Sequence, residues 1–167
     1  LPQLSDPAFC GFVHLDKRVC PAYSMGMDTR EITPKFSVAP QISPDDMHDL
    51  VAAGFKRILC NRPDAEVPVS HQAASMEAAA REAGLEFFFC PLTHLTMTPD
   101  VIAHNHELIA ECDGPVLAYC ASGTRSTIAW ALAAVQYSSV DDVVSAARAA
   151  GYEIDNLRPT LEAAANR

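Results

Sequence analysis

The sequence predicts an α/β fold of three layers, with a mainly parallel central sheet flanked by helices on both faces. Two observations carry this. Short apolar runs of strand length alternate with longer helical stretches, and such alternation needs crossover connections that set neighbouring strands parallel. The helical stretches also carry their own punctuation. Ser43-Pro44-Asp45 and Thr98-Pro99-Asp100 each supply a capping hydroxyl, a proline for the first helical position and an acid for the positive helix end. Gly54, Gly84 and Gly151 stand where helices should close.

Taken in order, the elements are these. Residues 1–26 stand apart: Pro2, Pro7 and Pro21 interrupt them, and no helical or alternating period runs through them. No basic segment precedes an apolar one, so a signal peptide is not expected. Residues 1–31 are expected to form a poorly ordered extension, with a natural start at Met25 or Met27, and 32–167 a single domain. Lys35 to Ala39 reads as the first strand, followed by a helix capped by Ser43 and ending near Ala53. Arg57 to Asn61 is the second strand, leading into the turn Arg62-Pro63-Asp64. Ser70 opens an alanine-rich helix that Gly84 ends. Glu86 to Cys90 is the third strand, apolar enough to be covered on both faces. A helix from Thr98 to about Cys112 precedes the breaker Gly114-Pro115 and the fourth strand, Val116 to Tyr119. Helices to about Tyr137, over Ser139 to Ala150, and over Arg158 to Ala165 complete the chain.

Composition narrows the function. With 49% hydrophobic and 20% charged residues among 167, the chain belongs with globular domains that bury a sizeable core. A net charge of -9 argues against a nucleic-acid or anionic-membrane partner, and no apolar run approaches the ~20 residues of a membrane span. A small anionic ligand remains compatible, because clustered backbone N–H groups override a distant negative surface. Six cysteines, at 10, 20, 60, 90, 112 and 120, are spread along a chain with enough apolar residues to fold unaided. They read as reduced thiols of a cytoplasmic protein.

The chemistry concentrates in Cys120-Ala121-Ser122-Gly123-Thr124-Arg125-Ser126, between the fourth strand and a helix. Ligands of parallel sheets bind beyond the carboxyl ends of the strands. Small residues there let several backbone N–H groups turn to one point, and the helix start adds its positive end. That field favours thiolate over thiol at Cys120. Gly123 supplies a backbone shape other residues resist, Arg125 a planar fork for an oxyanion, and Ser126 a hydroxyl expected to donate to the sulfur. Ala121, Ser122, Gly123 and Thr124 form the anion-binding turn. Arg62, Asp64, His94 and Asp100 are candidates for the rim or for a general acid. His104 and His106, two apart on a helix, diverge, so neither a metal nor another cofactor is expected.

The cysteine loop resembles the active-site loop of cysteine-dependent phosphatases and rhodanese-type sulfurtransferases. With Phe36-Ser37-Val38-Ala39-Pro40-Gln41 and Asn61-Arg62-Pro63-Asp64, the stretch from about Ile32 to Val135 resembles the phosphatase-like domain of the β-lactamase-hydrolase-like proteins. That resemblance implies a protein-tyrosine-phosphatase-like α/β fold with the cysteine strand in mid-sheet. Two features depart from the tyrosine-phosphatase pattern: four residues, not five, separate cysteine from arginine, and Tyr119 replaces the histidine before the cysteine. The shorter loop is the rhodanese form. On that ground, and because no acid stands out, the expectation is a sulfurtransferase that carries a sulfane sulfur as a persulfide on Cys120. Its partners would be a small anionic sulfur donor and a thiol acceptor. The alternatives are a phosphatase acting on a phosphate ester through a phosphocysteine, and a non-catalytic anion-binding or redox-sensing module.

Overall fold

The computed structural model describes residues 26–167. Five strands form one sheet: β1 (Arg30–Thr33), β2 (Phe36–Ala39), β3 (Arg57–Cys60), β4 (Glu86–Phe89) and β5 (Val116–Tyr119). Their order is β1-β2-β5-β3-β4. β2, β5, β3 and β4 run parallel, and β1 pairs antiparallel with β2. The helices are α1 (Met47–Ala52), α2 (Ala73–Ala83), α3 (Pro99–Ala110), α4 (Thr124–Ala134), α5 (Val140–Ala149) and α6 (Arg158–Ala165). The three-layer expectation holds, with β5 at the centre of the sheet.

The period of two along the inner strands divides the core. Val38, Leu59, Val116 and Ala118 point into one cluster with residues of α3, α4, α5 and α6. Ala39, Ile58, Cys60, Leu117 and Tyr119 point into the other, with Met47, Leu50, Met76 and Ala80 of α1 and α2. A fully buried strand such as β5 therefore serves two cores at once, which is why it reads as a continuous apolar run.

Several expected boundaries move. The start of the domain at 32 falls inside β1, whose Arg30 pairs with Val38. A strand reading Arg-Glu-Ile-Thr at a sheet edge, with little of it buried, has no apolar run to reveal it. The expected extension over 1–25 lies outside the described residues. Residues 44–46 form a 3-10 turn before α1, and Ser43 N–H donates to Asp46 Oδ2 at 2.7 Å. Ser70 does not open α2; it lies in a separate 3-10 turn over Val69–His71. β4 is not covered on both faces either. It is the edge strand, and Phe89 is 44% exposed. α4 begins at Thr124 and ends at Ala134, three residues short of the expected Tyr137.

At the start of β3, Arg57 is buried with three kinds of partner. Its Nε donates to Glu86 Oε2 at 2.7 Å, Nη1 donates to the Leu108 carbonyl of α3, and the guanidinium lies 4.9 Å from the Phe88 ring centroid. This locks the end of the sheet remote from the cysteine loop. Leu117 is fully buried in β5. Leu117→Ala is expected to cost about 2–5 kcal/mol through lost burial and a residual cavity, read as a lower urea midpoint at unchanged slope.

Candidate active site

The parallel strands deliver β2, β3, β4 and β5 to one rim, and the loop after β5 sits in the middle of it. Cys120 N–H donates to the Ala39 carbonyl at 3.4 Å, and Gln41 N–H to the Ala121 carbonyl at 3.3 Å. The segment after β2 thus braces the start of the loop. Gly123 then turns the chain with φ of 91° and acts as the N-cap of α4. A side chain at Gly123 would meet the Tyr152 hydroxyl 2.0 Å from its Cβ. Both the backbone shape and the available space therefore call for glycine. Tyr152 closes the loop from outside, its hydroxyl donating to the Ser122 carbonyl at 3.1 Å.

The sulfur of Cys120 lies inside this turn, 1% of the residue exposed. Gly123 N–H donates to Sγ at 3.1 Å. Burial by itself pushes the thiol pKa up. The backbone N–H groups of Ser126, Ser122, Arg125 and Gly123 together outweigh it and hold the thiol below its ordinary value. The contrast with the other strand-end cysteines isolates the cause. Burial raises Cys60, and raises Cys90 to about 11, because neither sits in a ring of donors. Cys60 instead donates its thiol to the Arg62 carbonyl at 3.4 Å. Among the described residues, Cys60, Cys90, Cys112 and Cys120 are all free thiols.

Arg125 is held by a residue the sequence did not single out. Its Nη1 and Nη2 donate to Glu66 Oε1 and Oε2 at 2.8 and 2.6 Å, and Nη1 also donates to the Leu92 carbonyl at 2.8 Å. Glu66 is in turn reached by Arg62, whose Nε lies 3.4 Å from Oε2, while Arg62 Nη1 donates to Gln41 Oε1 at 3.1 Å. The Arg125 hydrogen bond, aided by Arg62, lowers the Glu66 carboxyl below its usual range. Glu66 is therefore an anion near neutrality and orients the fork. Of the five N–H donors of a guanidinium, Glu66 and Leu92 take three, leaving the Nε–H and one on Nη2 for the Cys120 sulfur or for an oxyanion bound beside it. The sole sequence signal for Glu66 is its position four residues after Arg62, in a turn that needs the folded chain to meet Arg125.

The other expected residues distribute unevenly. Arg62 lies between Glu66 and Gln41. Asp64 turns one oxygen away to α2: its Oδ1 accepts the Ala73 N–H at 2.7 Å and caps the helix across the intervening turn. Asp100 is exposed in the first turn of α3 and lines a cavity of about 400 Å³ with Phe89, Cys90 and His104, away from the loop residues. His94 is exposed in the segment after β4. Ser126 departs from expectation as well, since its hydroxyl donates to Asn61 Oδ1 at 2.9 Å and leaves only its backbone N–H for the sulfur. Ser122 and Thr124 bond each other through their hydroxyls at 2.9 Å, stiffening the turn. Tyr119 is fully buried in the α1 and α2 core, and burial raises its phenol pKa, so it stays protonated. No group of three metal-ligating side chains occurs among the described residues.

The fold and this site define a protein-tyrosine-phosphatase-like domain with a cysteine loop at the end of its central strand. Residues 28–138 match the family described as beta-lactamase hydrolase-like protein, phosphatase-like domain, and the chain belongs to that family. Beta-lactamase hydrolase-like proteins of Agrobacterium fabrum and Xylella fastidiosa (strain 9a5c) are 32% and 30% identical to it, over 70% and 79% of this chain. The chain spans 28% and 31% of those relatives' lengths. A protein from Neisseria meningitidis described as a candidate phosphatase superposes with a TM-score of 0.73 at 30% identity, covering 83% of this chain and 99% of that one. PTPMT1 in complex with PI(5)P shares the fold, with a TM-score of 0.65 at 13% identity over 83% of this chain and 94% of that one. These likenesses favour the phosphatase alternative over sulfur transfer.

A thiolate-stabilising ring has a direct signature. Iodoacetamide should alkylate Cys120 with a pH midpoint below that of an ordinary cysteine, about 8.5, while Cys60 and Cys90 stay unreactive near neutrality. Mass mapping of the alkylated peptides across pH reads both outcomes.

Proposed function

We propose that this domain is a cysteine-dependent phosphatase in which the Cys120 thiolate attacks the phosphorus of a small phosphate ester. The observation that carries the reading is the convergence of four main-chain N–H groups and Arg125 on one buried sulfur. In the first step a sulfur–phosphorus bond forms and the ester phosphorus–oxygen bond breaks, releasing the leaving oxygen as an anion that takes its proton from solvent. Water then attacks the phosphocysteine, returning the thiolate and inorganic phosphate. The loop N–H groups and the two remaining Arg125 donors would bind the phosphoryl oxygens as charge develops on them. Family membership and the phosphatase likeness support phosphorus as the electrophile.

An alkoxide leaving group needs a proton from a positioned acid. Glu66 is held ionised, and Asp64 is committed to the α2 N-terminus. The arrangement therefore favours esters whose alcohol is itself acidic, such as aryl phosphates. PTPMT1 with bound PI(5)P adds phosphoinositides to the esters worth assaying.

Sulfur transfer is the second reading, and a specific observation favours it. Four residues between Cys120 and Arg125 make a tight ring, and sulfite or a thiolate departs without a proton. Here the Cys120 thiolate would attack the outer sulfur of thiosulfate, form a sulfur–sulfur bond and expel sulfite. The terminal sulfur would then pass to a thiol acceptor.

Parallel assays of wild type and Cys120→Ser separate the readings. The phosphatase reading expects phosphate release from p-nitrophenyl phosphate, far slower release from an alkyl phosphate, and loss of both in the variant. Sulfite release with one sulfur added to Cys120 by mass, and negligible phosphate release, overturns it. Turnover of neither substrate class leaves the non-catalytic reading. In whichever assay is active, Glu66→Ala should lower kcat/KM roughly ten- to hundredfold, because a misplaced guanidinium loses its alignment with the transferred group.

A further inference from the structure

Behind the loop runs a buried chain of side-chain hydrogen bonds that the reaction does not consume. Asn61 is 1% exposed, directly after β3. Its Nδ2 donates to the Cys90 carbonyl at 2.9 Å and to Asn105 Oδ1 at 2.8 Å. Asn105 Nδ2 donates to the Val101 carbonyl at 3.0 Å. Peptide carbonyls only accept, so both ends of the chain are fixed and neither amide can turn over. Asn61 Oδ1 must then face Ser126, and the Ser126 hydroxyl must donate to it. A hydroxyl carries one proton, so the sulfur receives none from the Ser126 side chain and keeps only that residue's backbone N–H.

We propose that Asn61 is a positioning residue for Cys120, which keeps the Ser126 hydroxyl engaged and leaves the thiolate to main-chain donors and Arg125. The consequence is chemical. A thiolate with one fewer donor is more basic, and a more basic thiolate is intrinsically more nucleophilic. The loop N–H groups already ionise the sulfur, so a further hydrogen bond would lower its reactivity while adding little to the ionised fraction. Arg125 and Tyr152 are the titratable side chains that act on the sulfur. Neither hydrogen-bonds to the Asn61 side chain, so their influence is constant when that side chain is changed. The inference rests on Cys120 as the nucleophile and not on which substrate it attacks.

The test is the pH profile of Cys120 alkylation by iodoacetamide, with folding checked by thermal melts. It needs neither phosphate ester nor sulfur donor, so a failed turnover assay leaves it intact. Asn61→Ala frees the hydroxyl to swing to the sulfur, and the midpoint should fall by about half a unit to one unit. The alkylation rate at high pH should fall with it. Ser126→Ala alone should leave the midpoint unmoved, and Asn61→Ala with Ser126→Ala should restore it. Asn105→Ala, which removes one of the two bonds fixing Asn61, should give a smaller shift of the same sign and serves where Asn61→Ala does not fold. A midpoint raised by Ser126→Ala alone overturns the proposal, because it puts the hydroxyl on the sulfur. So does a shift from Asn61→Ala that persists without the Ser126 hydroxyl, or no shift in either asparagine variant.

Discussion

Everything in this domain depends on one unfavourable act: placing an ionisable sulfur inside the protein at the end of its central strand. Burial works against a thiolate, as Cys60 and Cys90 show in nearly the same setting. Cys120 differs because four N–H groups are turned toward it, and three of them, on Gly123, Arg125 and Ser126, belong to a helix start where they would otherwise need partners. The helix needs acceptors and the sulfur needs donors, and each satisfies the other. Gly123 makes the exchange geometrically feasible, since the turn between sulfur and helix passes through a positive φ.

The sheet supplies the stiffness this arrangement needs. β5 lies between β2 and β3, so the loop is flanked on both sides by strands that end at the same level. From the β2 side come Ala39 and Gln41, through backbone bonds. From the β3 side come Asn61 and Arg62, and from beyond β4 the Leu92 carbonyl on Arg125. Asn61 also accepts at its carbonyl from Leu92 N–H at 2.9 Å. One residue thereby ties the ends of three strands to the loop. Buried amides are costly when partly satisfied; here every side-chain polar atom of Asn61 has a partner.

The four parallel strands and their helices were legible because each is an apolar run bounded by caps and glycines, and local chemistry fixes those boundaries. The cysteine loop was legible for the same reason: its functional groups lie within seven consecutive residues. What the sequence hid is what comes together across the fold. β1 carries little apolar signal, being a partly exposed edge. Glu66 and Tyr152 are 59 and 27 residues from Arg125 and are joined to the loop only by topology. Asp64 looked like a rim acid because turn acids and catalytic acids share a composition. Its actual partner, Ala73 N–H, is nine residues on. Ser126 failed subtly, since the expected donor group was right but a buried acceptor behind it, Asn61, claimed the proton.

Charge explains how a chain of net -9 can present a site for anions. Arg62 and Arg125 converge on a single carboxylate, Glu66, so the cluster carries two positive charges against one negative before the thiolate is counted. With Cys120 ionised, the group is close to neutral. An arriving dianion is then attracted by oriented N–H dipoles at short range more than by net charge at long range. Such a site gains little from electrostatic steering, which the net charge of -9 opposes. On the proposed reading, selectivity would come from fit inside the ring, which the four-residue span between Cys120 and Arg125 limits. A small substrate centre with oxygens matched to inward-facing amides suits it, whereas a bulky group must stay outside the turn, against the rim formed by Glu66, Arg62 and the segment after β4.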